Sequence, residues 1–157
     1  MEPGTSLVLG DRTEIVSQNS AAVLGVAHRA ALRCVMPGAS IRLGDDVGMT
    51  GGTICAATSI EIGDETMLGA DVTVVDTDFH PLSSRSRRRE AVPEPRPTDA
   101  VRIGRNVFLG TRVIVLKGVT IGDDTVVGAG SVVTHDLPPG TICAGSPAEV
   151  VRTLDLP

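Results

Sequence analysis

The chain of 157 residues has neither tryptophan nor tyrosine, and Phe79 and Phe108 are its only phenylalanines. Binding of single-stranded nucleic acid rests on stacking aromatics along a basic groove, and a chain of net charge −5 with two phenylalanines supplies neither. Cysteine is equally scarce. Cys34, Cys55 and Cys143 are odd in number and fall at wide, unpatterned spacings, which argues against a disulfide framework or a zinc site. No apolar run approaches membrane-spanning length, so no membrane insertion is expected. The start MEPGTSLVLG lacks the basic end, apolar stretch and small-residue cleavage site of a secretory signal, so the expected location is the cytoplasm.

What the chain has is a repeat of six. From Ile103 to Pro138 an aliphatic residue recurs at Ile103, Leu109, Val115, Ile121, Val127 and Val133. Glycine follows four of these directly, at Gly104, Gly110, Gly122 and Gly128. The fifth places hold Val107, Val113, Val119, Thr125, Ser131 and Leu137. No amphipathic helix repeats at six, whereas a parallel β-helix does, with short strands laid end to end around a prism and three hexads to a coil. The aliphatic residue fills the interior and the small residue lets neighbouring corners approach. One coil buries too little apolar area to offset its own ordering, so stability requires a stack.

The hexads begin at Leu9-Gly10 and Ile15, vanish in an alanine-rich run from Ser20 to Pro37, and resume at Leu43-Gly44, Met49 and Cys55. The run from Ser20 to Pro37 is read as an extended insertion or a short helix before the Pro37-Gly38 turn. Cys55 is placed in the core, and the hexads restart one residue late at Ile62-Gly63, Leu68-Gly69 and Val74. At Val75-Asp76-Thr77-Asp78-Phe79-His80-Pro81 the chain leaves the prism for a projecting loop, residues 81–102, rich in proline and arginine. Ser146-Pro147-Ala148-Glu149 carries the signature of a helix start, which predicts a C-terminal α-helix over 147–154. The whole chain, 1–157, reads as one domain.

The hexads, the DTDFHP turn with its loop, and the ending VVGAGSVVTHDLPPGTICAGSPAEVVR resemble the hexapeptide-repeat acyltransferases, in particular the maltose, galactoside and nodulation-factor acetyltransferases, from about Leu43 to Arg152. The resemblance implies an all-β fold, a left-handed parallel β-helix, against the usual hand of parallel crossovers. It also implies a homotrimer with active sites between subunits, acetyl-CoA as co-substrate, no metal, and a small-molecule acceptor such as a sugar hydroxyl.

The resemblance makes His80 the general base, and the chemistry suits an imidazole, which takes a proton from a hydroxyl near neutral pH. In an extended chain Asp76, Asp78 and His80 share one side, so either carboxylate can orient the ring, Asp78 being the nearer; a turn would instead make both acceptors of backbone N–H groups. Thr50 stands where relatives carry an asparagine that stabilises the transition state, and is carried over as a catalytic candidate. Cofactor-binding positions by resemblance are Gly110, Thr111, Gly128, Ala129 and Gly130, where small corners leave room for pantetheine, with Pro147 and Arg152 at the adenine and phosphate end. Phe108 falls where relatives often have tryptophan and is expected at a subunit interface.

Two other readings fit a β-helix. A γ-carbonic-anhydrase-like hydratase needs three histidines gathered on adjacent coils, whereas His28 and His135 stand in settings unrelated to His80. A non-catalytic scaffold has no use for a histidine-bearing loop that interrupts its surface. Arg85, Arg87, Arg88 and Arg89 read either as a solvated loop or as a gate for anionic groups.

Overall fold

A computed structural model describes residues 2–155. The first coil comprises β1 (Ser6–Leu9), β2 (Glu14–Val16) and β3 (Ala31–Cys34), and the second β4 (Ser40–Leu43), β5 (Gly48–Thr50) and β6 (Thr53–Ala56). The third has β7 (Ser59–Ile62), β8 (Met67–Leu68) and β9 (Thr73–Val75), and the fourth β10 (Val101–Ile103), β11 (Phe108–Leu109) and β12 (Ile114–Val115). The fifth has β13 (Thr120–Ile121), β14 (Val126–Val127) and β15 (Val132–Val133). Each strand pairs in parallel with its counterpart one coil away, giving three faces: β1-β4-β7-β10-β13, β2-β5-β8-β11-β14 and β3-β6-β9-β12-β15.

Both rows read from the hexads point inward. Ile103, Leu109, Val115, Ile121, Val127 and Val133, and at the fifth places Val107, Val113, Val119, Thr125, Ser131 and Leu137, are at most 3% exposed. The two hydroxyls among these twelve are satisfied by corner carbonyls, Thr125 Oγ1 donating to Pro138 O at 2.9 Å and Ser131 Oγ to Gly128 O at 2.6 Å. The small second places have a steric cause: a Cβ at Gly110 would lie 2.6 Å from Ala129 N in the corner above.

Three expectations are corrected. Cys55 is buried but is not the core residue of its strand; Ile54 and Ala56 point inward and Cys55, between them, points out. The register pairs Ile54 with Val74, so the hexad after Met49 is one residue short. Consecutive glycines in the left-handed region, Gly51 (φ 60°) and Gly52 (φ 79°), make that corner, and the missing residue returns beyond Ala56. The second correction concerns the tail. Residues 148–153 are a strand, β17 (Ala148–Thr153), antiparallel to β16 (Thr141–Gly145), which stacks on β14. Gly145 pairs with Ala148, so Ser146-Pro147 is the turn of a hairpin rather than a helix cap. The open edge of β16 offers the tail a ladder of backbone partners, and Val150 and Val151 favour an extended chain. Third, β10 begins at Val101, whose side chain is fully buried, so the excursion spans 76–100 and ends before 102.

The alanine-rich run holds no helix. Residues 17–30 form turns that leave the prism between the second and third faces, and β3 follows within the run.

Candidate functional site

The excursion leaves the prism where the third face turns toward the first, and Asp76 fixes its root. This carboxylate is fully buried and accepts the Ala57 N–H at 2.6 Å and the Thr58 N–H at 2.8 Å from the corner one coil below. Burial pushes its carboxyl up from the ordinary aspartate range, opposed by those amides. Asp76 is therefore an acceptor for backbone groups and does not orient His80. Removing it with Asp76→Ala strands two amides, one fully and one partly buried, and is expected to cost about 2–4 kcal/mol in urea unfolding, with Asp76→Asn losing less because one acceptor oxygen remains.

Beyond Asp76, the Phe79 N–H donates to Thr77 Oγ1 at 3.2 Å, and Phe79 itself lies in the left-handed region at φ 59°. Other non-glycine residues in that region are polar and sit at repeating prism corners, such as Asp46, Asp71 and Asn106. An aromatic residue there is an outlier with a conformational cost of about 1–2 kcal/mol, and it immediately precedes His80. His80 is exposed.

Asp78 does not bond to His80. Its carboxylate is ion-paired with the ammonium of Lys117, which projects from the corner after β12 one coil above. Lys117 also lies 3.8 Å from Asp99 at the far end of the excursion. Arg96 grips Asp99 through Nη2 at 3.0 Å and Nε at 3.3 Å, and this holds the Asp99 carboxyl below the usual aspartate range. The sequence reading missed Lys117. One signal was available, since Lys117 is the only lysine beside 13 arginines.

The cofactor candidates gather at a different corner, between the second and third faces. Ala70 O accepts the Arg112 N–H at 2.8 Å and Thr111 O accepts the Gly130 N–H at 2.9 Å, so Ala70, Thr111 and Ala129 stack in a row. Thr50 belongs to the same row, its carbonyl accepting the Asp71 N–H at 3.0 Å. Ala144 and Gly145 continue the corner: Gly145 N–H donates to Ser131 Oγ at 3.0 Å, a Cβ at Gly128 would stand 3.2 Å from the Ala144 Cβ, and Pro147 follows two residues after Gly145 in the hairpin turn. Arg152 does not join them. It pairs with Ile142 at the opposite end of the hairpin, where five strand residues separate it from Pro147 by about 16 Å instead of the ~7.5 Å of a helix.

The insertion 17–30 closes over the lower end of this row. Ala27 N–H donates to Asp71 Oδ1 at 2.9 Å, and Ala22 with Thr50, Gly69, Phe108 and Thr111 lines a cavity of about 290 Å³. Phe108 is 41% exposed on the outer side of the second face beside Met67, with which it is in register. Cys34, Cys55 and Cys143 are all buried and free, and burial pushes the thiols of Cys34 and Cys55 up, away from the nucleophilic thiolate. Among the described residues no three His, Cys, Asp or Glu side chains are grouped as a metal would need, and no helix is long and apolar enough to cross a membrane.

Residues 100–135 match the model of the hexapeptide repeat of succinyl-transferase. The chain is 38% identical over 104 residues to galactoside O-acetyltransferase of Escherichia coli, a match covering 66% of this chain and 48% of that protein. It thus spans about half the length of the curated relatives it matches. A hexapeptide-repeat acetyltransferase from Vibrio cholerae, complexed with acetyl coenzyme A, is 31% identical with a TM-score of 0.65, covering 83% of this chain and 73% of that one. A galactoside acetyltransferase in complex with coenzyme A is also 31% identical with a TM-score of 0.65, covering 80% of this chain and 65% of that one. With its stacked hexads, small-residue corners and histidine-bearing excursion, the chain belongs to the hexapeptide-repeat acetyltransferase family.

Proposed function

We propose that this chain transfers an acetyl group from acetyl-CoA to a hydroxyl of a sugar or sugar-like acceptor, with His80 as general base. The observation that carries the reading is the division of the chemistry between two corners of one prism. His80 stands exposed on a strained turn at one corner, and the row of small residues through Thr111 and Ala129 lies at another. A face of six residues spans up to about 20 Å, too far for one protomer to bring the two together. The reading therefore assembles the chains as a homotrimer of left-handed β-helices, in which His80 of one copy faces the corner row of the next. Phe108 and Met67, both partly exposed and apolar, support the second face as an interface.

The row suits coenzyme A because Thr50, Ala70, Thr111 and Ala129 carry nothing longer than threonine, which lets an extended pantetheine arm lie against backbone N–H and C=O groups. His80 takes the proton of the acceptor hydroxyl as its oxygen attacks the thioester carbonyl. The C–S bond of the tetrahedral adduct then breaks, the acetyl ester is released, and imidazolium returns the proton to the departing thiolate. Backbone N–H groups at the corner row, with the Thr50 hydroxyl, are the donors available to the oxyanion. No cysteine enters the path. The acceptor class follows the names of the galactoside O-acetyltransferases.

The test is release of CoA from acetyl-CoA over a panel of galactosides, glucosides and nucleotide sugars. Acceptor-dependent release is expected. A protein whose melting temperature does not move with millimolar CoA, and which releases no CoA with any acceptor, is a scaffold and not this enzyme.

A further inference from the structure

The excursion that carries His80 is held at both ends by one side chain. Its first turn contributes Asp78, two residues before the imidazole, and its last turn contributes Asp99. Lys117, from the coil above, pairs with the first and lies 3.8 Å from the second. The side chains of Lys117 and Asp78 are each 27% exposed, and that of Asp99 only 11%, so bulk solvent screens the contacts incompletely. Further contacts hold the far end: the Gly118 N–H donates to Asp99 O at 2.7 Å, and Arg96 binds the Asp99 carboxylate through two nitrogens. The near end is rooted at the buried Asp76, but beyond that root the ion pair of Lys117 with Asp78 is what ties it to the coil above, and after it the chain turns through the strained Phe79, whose N–H donates only locally to Thr77 Oγ1. A strained turn persists only when its surroundings over-determine it. The stretch between the anchors is almost wholly exposed.

We infer that Lys117 is a positioning residue for His80, holding the Asp78-Phe79-His80 turn to the prism. The inference rests on the reading of His80 as general base. Asp78 then acts through Lys117, as the handle by which the turn is gripped, instead of by a hydrogen bond to the imidazole. Acyl transfer requires the base within hydrogen-bond reach of the acceptor hydroxyl, so loosening this grip lowers turnover while the corner row and its hold on acetyl-CoA are untouched.

The experiment compares Lys117→Met, Lys117→Arg and Asp78→Asn with wild type. Hydrogen exchange of residues 77–100 in the protein without ligand is measured beside kcat and KM for acetyl-CoA with the best acceptor of the panel. Lys117→Met and Asp78→Asn are expected to speed exchange at the 77–81 turn at least tenfold, with the strand amides as slow as in wild type. Both should lower kcat at least tenfold with KM for acetyl-CoA within twofold, and Lys117→Arg should restore at least half of the lost turnover. Wild-type exchange at the turn in both uncharged variants overturns the clamp. Faster exchange with undiminished kcat overturns its bearing on His80. His80→Ala in the same assay separates the two ideas, since full turnover there refutes the general base while the exchange data still judge the clamp.

Discussion

His80→Ala protein is expected to fold and assemble as wild type does and to lose about 10²- to 10⁴-fold in kcat with a detected acceptor, the usual worth of a positioned general base. The folding part of this expectation follows from exposure. His80 lies outside the prism and makes no contact with the interior rows, so alanine there removes no buried area. KM for acetyl-CoA should stay within about twofold, because loss of a proton acceptor used in the transition state lowers kcat without weakening ground-state binding. His80→Gln, which keeps polar contact but cannot accept the proton at neutral pH, should be as slow as alanine. Steady-state kinetics of the three proteins, with circular dichroism and gel filtration as controls, checks this. Full turnover in either variant removes His80 from the mechanism.

The second large effect concerns stability. Gly52→Ala is expected to destabilise the protein by about 2–5 kcal/mol, the sum of a left-handed backbone penalty of about 1–2 kcal/mol and overpacking of about 1–3 kcal/mol. Gly52 has φ 79°, and a Cβ there would overlap the Val72 carbonyl oxygen and stand 2.9 Å from Val72 N. Both clashing atoms are backbone of the coil above, so no side-chain rotation relieves them. Two other glycines separate the causes. Gly38, at φ 77° with nothing near its absent Cβ, should show the backbone penalty alone, and Gly48, with open space and no left-handed φ, should tolerate alanine within about 0.5 kcal/mol. Denaturant midpoints for the three alanine variants give the comparison. Equal losses at Gly52 and Gly38 would contradict a steric cause.

Much of the prism was legible because its signal is a period. Two inward rows six residues apart, read between Ile103 and Pro138, predicted the burial of each of their twelve side chains. Departures from the period were harder. Counting in sixes from Met49 lands on Cys55, and only the stacked register reveals that two left-handed glycines shorten the corner and put Ile54 inside. The tail failed for a different reason. Ser146-Pro147-Ala148-Glu149 carries a sound local signal for a helix, but the unpaired edge of β16 is a tertiary fact and it won. The site divides in the same way. Gly110, Thr111, Gly128, Ala129 and Gly130 fell at one corner because the corner follows from the repeat, whereas the partner of Asp78 was invisible because Lys117 is 39 residues away along the chain.

The division of the site between copies is tested most directly by mixing two inactive proteins. His80→Ala removes the proposed base, and Ala129→Glu places a bulky anion in the exposed corner row proposed to hold the phosphate-bearing co-substrate. Each alone should be at least a hundredfold slower than wild type. Unfolded and refolded together in equal amounts, they should regain about a quarter of wild-type acyl transfer, since one in four neighbouring pairs joins an intact His80 to an intact row. No recovery in mixtures shown by mass spectrometry to contain both variants in one assembly would contradict a site built between subunits.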